Sequence, residues 1–499
     1  MSNGHNAAGA HAVLTRIELA RQRMHAGRYS EAIGFCDEVL AHDGLCVDAL
    51  RIGGVARLML KQFGEAASML QRAAKQRPDD PALLNNLGMA LECSGAAAEA
   101  VNVLRDAAVR HPARRDILLN LATALQRNYE FAEAAEICER LVSRNGRDAE
   151  ALCNLASIQT EAGRGDLAIA CYERALALEP HLRKARENLA YALLRTGDFE
   201  RGWPAYESRR FDDRSGISAQ RPRWNGESAI SLTLIADQGF GDAIQFVRYG
   251  ALLRAANFSA SLQCAPRMVR LLSSCEHFRA VAPFGSEAIS AETRWLPLLS
   301  LPLALRTRLE TIPARVPYLR ADSAHVAAWR ERLQGDSSFR VGIAWQGNPG
   351  AEVMGLRDRS IPLAQFAPLA EIPGVRLYCL QKSPGLEQLR DVHFASRICV
   401  ASPELDSGED AFLDTAALMT LLDLVITPDT SIAHLAGALG RPTWVALKSV
   451  PDWRWLLHRS DSPWYPTMRL FRQPAAREWT PVFAAMARTL QELLATRAR

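Results

Sequence analysis

The sequence lacks the features that would place it in several familiar classes of protein. Its ten cysteines are scattered without a C-x-x-C pair, so neither a structural zinc site nor a disulfide framework is indicated, and we expect reduced, mostly buried thiols. No run of five or six like charges occurs, and 59 basic residues against 55 acidic ones leave a net charge of +4. The charge pattern gives no indication of a nucleic-acid partner.

Long apolar segments are missing as well. The chain has no stretch of about 18 apolar residues that could span a bilayer, and its amino terminus lacks the basic segment followed by an apolar one that marks a secretory signal. We therefore expect a cytoplasmic protein without a membrane span. With 499 residues the chain is longer than one hydrophobic core usually supports, so two or three domains are expected.

An internal repeat occupies the first part of the chain. An alanine recurs every 34 residues and divides residues 13–182 into five frames, with a partial sixth frame from residue 183. These alanines are Ala32, Ala66, Ala100, Ala134 and Ala168. Each frame also has a small residue twelve positions before the place of this alanine, and these are Ala20, Gly54, Gly88, Ala122, Ala156 and Ala190. The period predicts helical hairpins whose small residues let two helices approach closely.

Helix-breaking residues mark the frame ends. They are Gly44, Pro78, Pro112, Gly146 and Pro180. Residues 85–91 and 171–180 match the pattern of the tetratricopeptide repeat, which the region 13–210 therefore resembles. A non-repetitive helical bundle would not hold one register across five frames. The resemblance implies a right-handed superhelix whose concave face binds extended partners.

Four successive repeats carry asparagine at the same position: Asn86, Asn120, Asn154 and Asn188. Asparagine is a mediocre helix former, so its recurrence suggests a face that uses amide donors and acceptors. The repeats of O-GlcNAc transferase look similar, with an asparagine ladder that grips the main chain of an acceptor polypeptide. The alternative is a shared consensus residue that satisfies a hydrogen bond between helices. The sequence leaves both readings open.

The repeat pattern ends near residue 210. Gly202 stands in place of the register alanine, and Pro204 interrupts the second helix of the last frame. Residues 211–230 read as a connector that lies across the next domain. We expect Trp203 and Trp224 to hold that interface rather than to bind a ligand.

From residue 231 the pattern changes to short apolar runs separated by helical segments, which is typical of alternating strands and helices on a parallel sheet. The predicted strands are residues 232–236, 260–264, 340–345, 376–380, 397–401, 424–427 and 444–447. Two sheets fit, in domains at 231–325 and 326–480. A helix over 481–495, within a final segment 481–499, could pack across either.

The first strand runs into the loop 237–242. Gly239 and Gly241 would permit a tight turn into a helix and close approach of a ligand. Asp242 at the start of that helix is placed to act as a general base. Its alternative role is to cap the helix.

A second loop follows the predicted strand 424–427. Asp429, Thr430 and Ser431 stand where a helix begins, so hydroxyls and free backbone N–H groups form a cradle for a diphosphate. His434, one turn later, could donate to phosphate, although packing is the favoured reading. The aromatic residues of 444–464 could stack on a base or sugar, or seal an interdomain seam.

Six motifs occur in order over residues 231–475. They are 239–242, 341–349, 359–363, 380–382, 414–418 and 428–440. Together they resemble glycosyltransferase family 9, the family of the ADP-heptose:lipopolysaccharide heptosyltransferases, in its branch fused to tetratricopeptide repeats. The resemblance implies a GT-B fold, in which two Rossmann-like domains face a cleft. The second domain would hold the nucleotide sugar, and the acceptor would enter along the first.

Site residues follow from the same resemblance. Asp242 would be the catalytic base of an inverting transfer. Arg359 and Lys382 would offset the charge on the leaving nucleotide diphosphate, a task otherwise given to a metal. The glycines Gly239 and Gly241 and the residues Asp429, Thr430, Ser431 and His434 would bind the donor. Neither a metal nor another cofactor is expected. The loop 350–358 departs from the family pattern, so donor or acceptor choice could differ and activity could be impaired.

These observations favour an inverting, metal-independent glycosyltransferase whose repeats recruit a protein or peptide acceptor. The donor would be a UDP, GDP or ADP sugar, which the sequence does not distinguish. The alternative is a repeat scaffold for protein interaction with a degenerate, non-catalytic GT-B domain. A GT-B epimerase or phosphorylase would not require the repeats and ranks lower.

Overall fold

The computed structural model describes residues 2–226, 231–286, 293–350, 358–400 and 405–497. The chain divides into two compact units, Met1–Ala185 and Arg186–Arg499. The first unit is helical, and the described strands all lie in the second. No helix among the described residues is long and apolar enough to cross a membrane.

Paired helices make up the first unit, two to each frame of the repeat. They are α1 (Ser2–His25), α2 (Tyr29–His42), α3 (Val47–Met59), α4 (Phe63–Gln76), α5 (Pro81–Cys93), α6 (Ala97–Arg110), α7 (Arg115–Arg127), α8 (Phe131–Arg144), α9 (Ala149–Glu161) and α10 (Gly165–Leu178). The next helix, α11 (Arg183–Thr196), crosses the boundary between the units. Every register alanine is fully buried, so the 34-residue period defines the packing of each pair.

The small residues of the repeat allow the two helices of a frame to pack closely. A Cβ atom on Gly54 would lie 2.7 Å from Cγ of Leu70, and a Cβ atom on Gly88 would lie 2.6 Å from Cδ2 of Leu104. Real Cβ atoms do not approach other atoms so closely. In the frames that have alanine at this position, the alanine is almost completely buried. The predicted role of these residues is confirmed.

The first compact unit ends before the repeat pattern does. The last hairpin is formed by α11 and the short helix α12 (Phe199–Tyr206), which contains Pro204. Both Trp203 and Tyr206 pack edge-on against Trp453, with ring centroids 5.4 Å and 5.9 Å apart. These aromatic contacts assign α12 to the second unit, whereas the repeat register runs to about residue 210.

Two parallel sheets organise the second unit. The first contains β1 (Ser231–Ile235), β2 (Ser259–Cys264), β3 (Ala280–Pro283) and β4 (Arg294–Pro297), in the order β3-β2-β1-β4. The second contains β5 (Phe339–Ile343), β6 (Val375–Cys379), β7 (Ile398–Val400), β8 (Leu424–Pro428), β9 (Thr443–Leu447) and β10 (Met468–Arg472), in the order β10-β9-β8-β5-β6-β7. All described strand pairs are parallel.

Helices connect these strands. They are α13 (Phe240–Phe246), α14 (Gly250–Ala255), α15 (Val269–Leu272), α16 (Leu301–Ala304), α17 (Ser323–Arg332), α18 (Ala367–Ala370), α19 (Leu413–Thr420), α20 (Ser431–Ala438) and α21 (Thr480–Arg497). The boundary expected at residues 325 and 326 falls inside α17. That helix belongs with the second sheet, because the indole of Trp329 donates to Asp414 at 3.1 Å.

The seven predicted strands correspond to β1, β2 and β5 to β9, with ends that differ by one or two residues; residue 401, the last of one prediction, lies outside the described residues. The sequence analysis missed β3, β4 and β10. The terminal helix α21 packs with the domain of the second sheet. The ring of Phe483 in α21 contacts that of Phe366, with centroids 4.5 Å apart.

The connector lies against the first sheet, as expected. Phe211 stacks on Trp295 with a centroid distance of 5.2 Å, and the backbone N–H of Trp224 donates to the carbonyl of Trp295 at 2.8 Å. Trp203 and Trp224 are both buried. The ten cysteines are free thiols, most of them buried.

Replacement of Gly88 by alanine tests the packing of the repeats. We expect the Gly88→Ala change to lower the apparent free energy of unfolding by about 1–3 kcal/mol, because the added methyl group overlaps Leu104. Gly34 is a matched control, since it lies exposed in α2 with no atom near an added Cβ. Gly34→Ala should instead raise the value by about 0.5–1 kcal/mol. Urea denaturation followed by far-ultraviolet circular dichroism measures both; equal effects would contradict the packing role.

Candidate functional site

The order of the strands marks where a ligand would bind. In open parallel sheets, ligands occupy the crevice beyond the carboxyl ends of the strands, where the connections turn to opposite sides. In the first sheet this point lies between β1 and β4, and in the second between β5 and β8. The loops 237–242 and 429–431 directly follow β1 and β8. Both motifs from the sequence therefore lie at switch points.

The two loops are brought together by the contact of α13 with α20. A Cβ atom on Gly241 would lie 3.0 Å from Cδ2 of His434 and 3.4 Å from Cα of Ser431. Any side chain at Gly241 would therefore push the two helices apart. Gly239 has a φ of −66°, which any residue adopts. Gly241 thus provides close helix packing, and the expected role of the two glycines in the approach of a ligand stays a prediction.

Both oxygens of Asp242 are engaged. Oδ2 accepts the backbone N–H of Gly239 at 3.0 Å, so the side chain caps α13. Oδ1 accepts from the guanidinium of Arg454. Burial raises the pKa of Asp242, Arg454 opposes this, and Asp452 adds to it. The carboxylate thus fulfils the capping alternative and also lies where α13 meets α20.

Arg454 is a residue that the sequence analysis did not single out. Its Nε donates to Oε1 of Gln245 at 2.6 Å and its Nη1 to Oδ1 of Asp452 at 2.9 Å, besides the bond to Asp242. The guanidinium carbon lies 4.4 Å from the centroid of the Trp453 ring. The sequence contained one signal for this residue, since Arg454 stands between two tryptophans. That position indicates burial, and a buried guanidinium needs carboxylate partners.

The loop after β8 begins α20 without a side-chain cap. Thr430 is the N-cap residue, with extended backbone, and its hydroxyl lies 3.3 Å from that of Thr427 instead of bonding the first turn. Ser431 is the first residue of the helix. This geometry leaves the first-turn N–H groups without a side-chain cap, as an anion cradle requires.

Asp429 lies in the same loop. Burial raises its pKa from 3.8 to about 6, and the charge of Asp452 contributes to this rise. Trp455, Arg454 and Arg359 act in the opposite direction. A carboxyl group with this pKa changes its protonation state near neutral pH, so the charge of the cradle depends on pH.

His434 is a packing residue in this structure. It is buried, its ring stacks on Trp455 with centroids 5.5 Å apart, and its Nδ1 lies 3.0 Å from the hydroxyl of Tyr465. Burial lowers the pKa of His434 well below 6.5, and the charges of Arg454 and Arg248 add to this. The imidazole is therefore neutral, in agreement with the favoured sequence reading.

A second buried arginine, Arg248, contacts the hydrogen-bond partner of His434. Arg248 donates to the hydroxyl of Tyr318 at 2.8 Å and to the carbonyl of Gln245 at 2.8 Å. Its guanidinium carbon lies 4.2 Å from the ring centroid of Tyr465, the partner of His434. No carboxylate bonds to Arg248 among the described residues, so aromatic rings and neutral oxygens hold this cation.

The two predicted phosphate-binding cations occupy different places. A Cβ atom on Gly347 would lie 2.6 Å from Nε of Arg359, which places that guanidinium against the loop after β5 at the switch point. Nζ of Lys382 donates to the carbonyl of Asp406 at 2.9 Å. Arg359 thus joins the surroundings of Asp429, whereas Lys382 is bonded to another loop. Of the divergent loop 350–358, residues 351–357 lie outside the described residues.

The asparagine positions of the repeats are half-buried, on α5, α7 and α9, with Asn188 on α11. Nδ2 of Asn120 donates to Oδ1 of Asn85 at 2.8 Å, which is a bond between helices. The side chains of Asn86 and Asn154 form no hydrogen bond to another described residue. The helix-bonding reading therefore applies to Asn120, and the other two amides are available to a partner.

A cavity of about 490 Å³ lies beside Asn154 in the first unit. It is lined by Arg115, Asn145, Arg147, Asp148, Ala149, Glu150, Cys153, Asn154, Glu179, Leu182 and Lys184. Arg115 forms a two-pronged pair with Asp148 at 2.7 Å on both arms. The cavity therefore presents charged and amide groups, and the ion pair between Arg115 and Asp148 fixes part of its wall. Among the described residues of the whole chain, no group of three or more His, Cys, Asp or Glu side chains could hold a metal ion.

Comparison with known families identifies the repeats. Models described as "Tetratricopeptide repeat" match residues 17–81, 54–115, 115–147 and 149–182. The last two matches coincide with predicted frames to within a residue. This part of the chain is a tetratricopeptide-repeat array, a scaffold for protein interaction.

One curated protein is similar beyond the repeats. Protein FlbA of Caulobacter vibrioides is 26% identical over 336 residues, which cover 62% of this chain and 55% of FlbA. This chain thus spans about half the length of that relative. Because the aligned share of the chain exceeds the whole first unit, Met1–Ala185, the similarity extends into the second unit.

Solved structures with some likeness are also repeat proteins. YrrB, described as a TPR protein with an unusual peptide-binding site, is 17% identical, with 35% of this chain and 89% of YrrB covered and a TM-score of 0.31. TTC0263, a thermophilic TPR protein of Thermus thermophilus, is 22% identical, with 36% of this chain and 99% of TTC0263 covered and a TM-score of 0.31.

The half-buried carboxyl group of Asp429 predicts a stability change with pH. Its folded-state pKa of about 6 exceeds its ordinary 3.8, so the ionised form destabilises the fold above pH 6, and the effect disappears below about pH 4, where folded and unfolded chains are both protonated. Asp429→Asn should therefore raise the unfolding midpoint by roughly 2 °C at pH 8 and leave it unchanged at pH 4. Asp461→Asn, at an exposed pair with Arg459, is the control and should give no rise. A pH-independent shift in calorimetry would contradict the assignment.

Proposed function

We propose that this protein is an inverting, metal-independent glycosyltransferase of the GT-B type, which transfers a sugar from a nucleotide sugar to a hydroxyl of a protein or peptide. One observation carries the proposal: the carboxylate of Asp242 and the uncapped start of α20 meet at the switch points of two parallel sheets, in contact through Gly241. A base and an anion cradle are the two elements that such a transfer needs.

The chemistry follows from these two elements. Asp242 accepts the proton of the acceptor hydroxyl while that oxygen forms a bond to the anomeric carbon. The bond from this carbon to the diphosphate oxygen breaks, and the nucleoside diphosphate leaves with the bonding electron pair. Attack from the opposite side inverts the configuration. The N–H groups at the start of α20 and the charge of Arg359 stabilise the leaving diphosphate, so the proposal assigns no step to a metal.

The repeats supply the acceptor in this proposal. The free amides of Asn86 and Asn154 can bond the main chain of an extended polypeptide, which presents one donor and one acceptor per residue. The cavity beside Asn154 adds charged groups for side chains of that polypeptide. The nucleotide of the donor is UDP, GDP or ADP, and a test with all three decides among them.

A second candidate function is a protein-interaction scaffold with a non-catalytic second unit. The observation that favours it is the engagement of both Asp242 oxygens, by Gly239 and Arg454. Both oxygens of this carboxylate are thus occupied by donors other than an acceptor hydroxyl. The two functions differ in whether sugar transfer depends on Asp242.

Asp242→Asn is the direct test of the proposed function. We expect wild-type protein to transfer radiolabelled sugar from one of a panel of UDP, GDP and ADP sugars to protein in a bacterial lysate. The variant should lose at least about 100-fold in rate, because general-base catalysis contributes roughly 10²–10⁴-fold. Asp461→Asn should retain full activity. No transfer with any donor would favour the scaffold, and equal transfer by the wild type and Asp242→Asn would exclude Asp242 as the base.

Replacement of Asn86 and Asn154 by alanine tests the role of the repeats. We expect the double variant to label lysate proteins roughly tenfold more slowly, since two amide bonds to the acceptor main chain are lost. Slow hydrolysis of the donor in the absence of acceptor should not change. Asn102→Ala, on the exposed face of α6, is the control. Unchanged labelling by the double variant would show that the acceptor binds elsewhere.

A further inference from the structure

Arg454 is at the centre of the charged groups of the candidate site. It is 8% exposed, and its described hydrogen bonds go to Gln245, Asp452 and Asp242. Its charge also lowers the pKa of Asp429 and that of His434, both in or near the start of α20. One buried cation is thus shared by the proposed base and by the surroundings of the proposed cradle.

The guanidinium of Arg454 has more donors than these hydrogen bonds use. The bonds to Gln245, Asp452 and Asp242 take three of its five N–H groups. Guanidinium groups bind phosphate oxygens in a fork geometry, often two at a time. Lys382, by contrast, is bonded to the carbonyl of Asp406. Arg454 is therefore better placed than Lys382 to meet a diphosphate at the start of α20.

The pairing with Arg454 also limits Asp242. The oxygen that accepts from this guanidinium is directed at Arg454 and not at an acceptor hydroxyl. Its other oxygen is occupied by the N–H of Gly239. A proton from an acceptor reaches Asp242 once one of these bonds is loosened, and of the two partners it is Arg454 whose charge also acts on Asp429.

We propose that Arg454 is a positioning residue shared between Asp242 and the diphosphate of the donor, so that a nucleoside diphosphate bound at the start of α20 draws the guanidinium from Asp242 and leaves that carboxylate free to accept a proton. The inference rests on the proposed function, because it requires that a nucleoside diphosphate binds there.

Competition has a consequence that a merely structural pair would not have. Asp242, Asp429 and Asp452 surround one guanidinium, and an incoming diphosphate adds negative charge. If Asp242 and the diphosphate compete for Arg454, removal of the Asp242 charge strengthens diphosphate binding. If Asp242 affects the diphosphate only through its charge, its removal strengthens binding by the same factor whether residue 454 is arginine or lysine.

The test measures the affinities of UDP, GDP and ADP for the full chain by isothermal titration calorimetry. We expect the nucleotide that binds the wild type to bind Asp242→Asn roughly five- to tenfold more tightly. Arg454→Lys, which keeps the charge but loses the fork, should bind it roughly tenfold more weakly, and in that background the Asp242→Asn change should give a smaller gain. Asp461→Asn, in the exposed pair with Arg459, should match the wild type.

The outcomes separate the inference from the function on which it rests. Equal or weaker nucleotide binding by Asp242→Asn, or an equal gain in the Arg454→Lys background, overturns the shared role of Arg454 and leaves the proposed function standing. Absence of binding to the wild type by all three nucleotides overturns both. Arg454→Lys alters a buried network, so the unfolding midpoint of every variant is measured alongside, and the isosteric Asp242→Asn keeps the inference open to refutation even where Arg454→Lys does not fold.

Discussion

The close contact between α13 and α20 is the constraint on which the site in the second unit depends. The two helices follow strands of different sheets. Their first turns meet only because Gly241 in α13 has no side chain that would collide with His434 in α20. A methyl group there would force a separation of a few tenths of an ångström. Because Asp242 and Ser431 lie on these turns, that separation would move the carboxylate of Asp242 away from the start of α20. The glycine therefore sets the distance between the two parts of the candidate site.

The surroundings of this contact explain how so much charge is held inside the protein. Burial of an unpaired ion is costly, so each buried cation must have partners. Arg454 has carboxylates on two sides and the Trp453 ring on a third, whereas Arg248 has tyrosine and backbone oxygens and the face of Tyr465. The two arrangements differ in the charge of the partners. Neutral groups hold Arg248, whereas carboxylates hold Arg454, and the proposed role of Arg454 requires that one of them is exchanged for a diphosphate.

Sequence reasoning succeeded where a pattern is local. The 34-residue period predicted the helix pairs of the repeats, and continuous apolar runs predicted β1, β2 and β5 to β9. It missed β3 and β4, which are short and end in proline, and β10, in which Arg469 and Arg472 interrupt the apolar run. It also placed Asp242 and the loop 429–431 at helix starts. Arg454 was missed because its bond to Asp242 joins residues 212 positions apart, and no spacing in the sequence encodes such a contact.

The ion pair between Asp242 and Arg454 would behave differently in an enzyme and in a scaffold. A buried carboxylate and guanidinium stabilise one another only as long as nothing else satisfies either. In a protein that never binds a diphosphate, the pair would be a permanent structural element, and Asp242 would remain a helix cap. In a transferase, an anion at the start of α20 supplies the guanidinium with an alternative partner, and the cap becomes a base. Because the fold is identical in the two cases, what distinguishes them under our proposal is the competition for one cation and not the architecture around it.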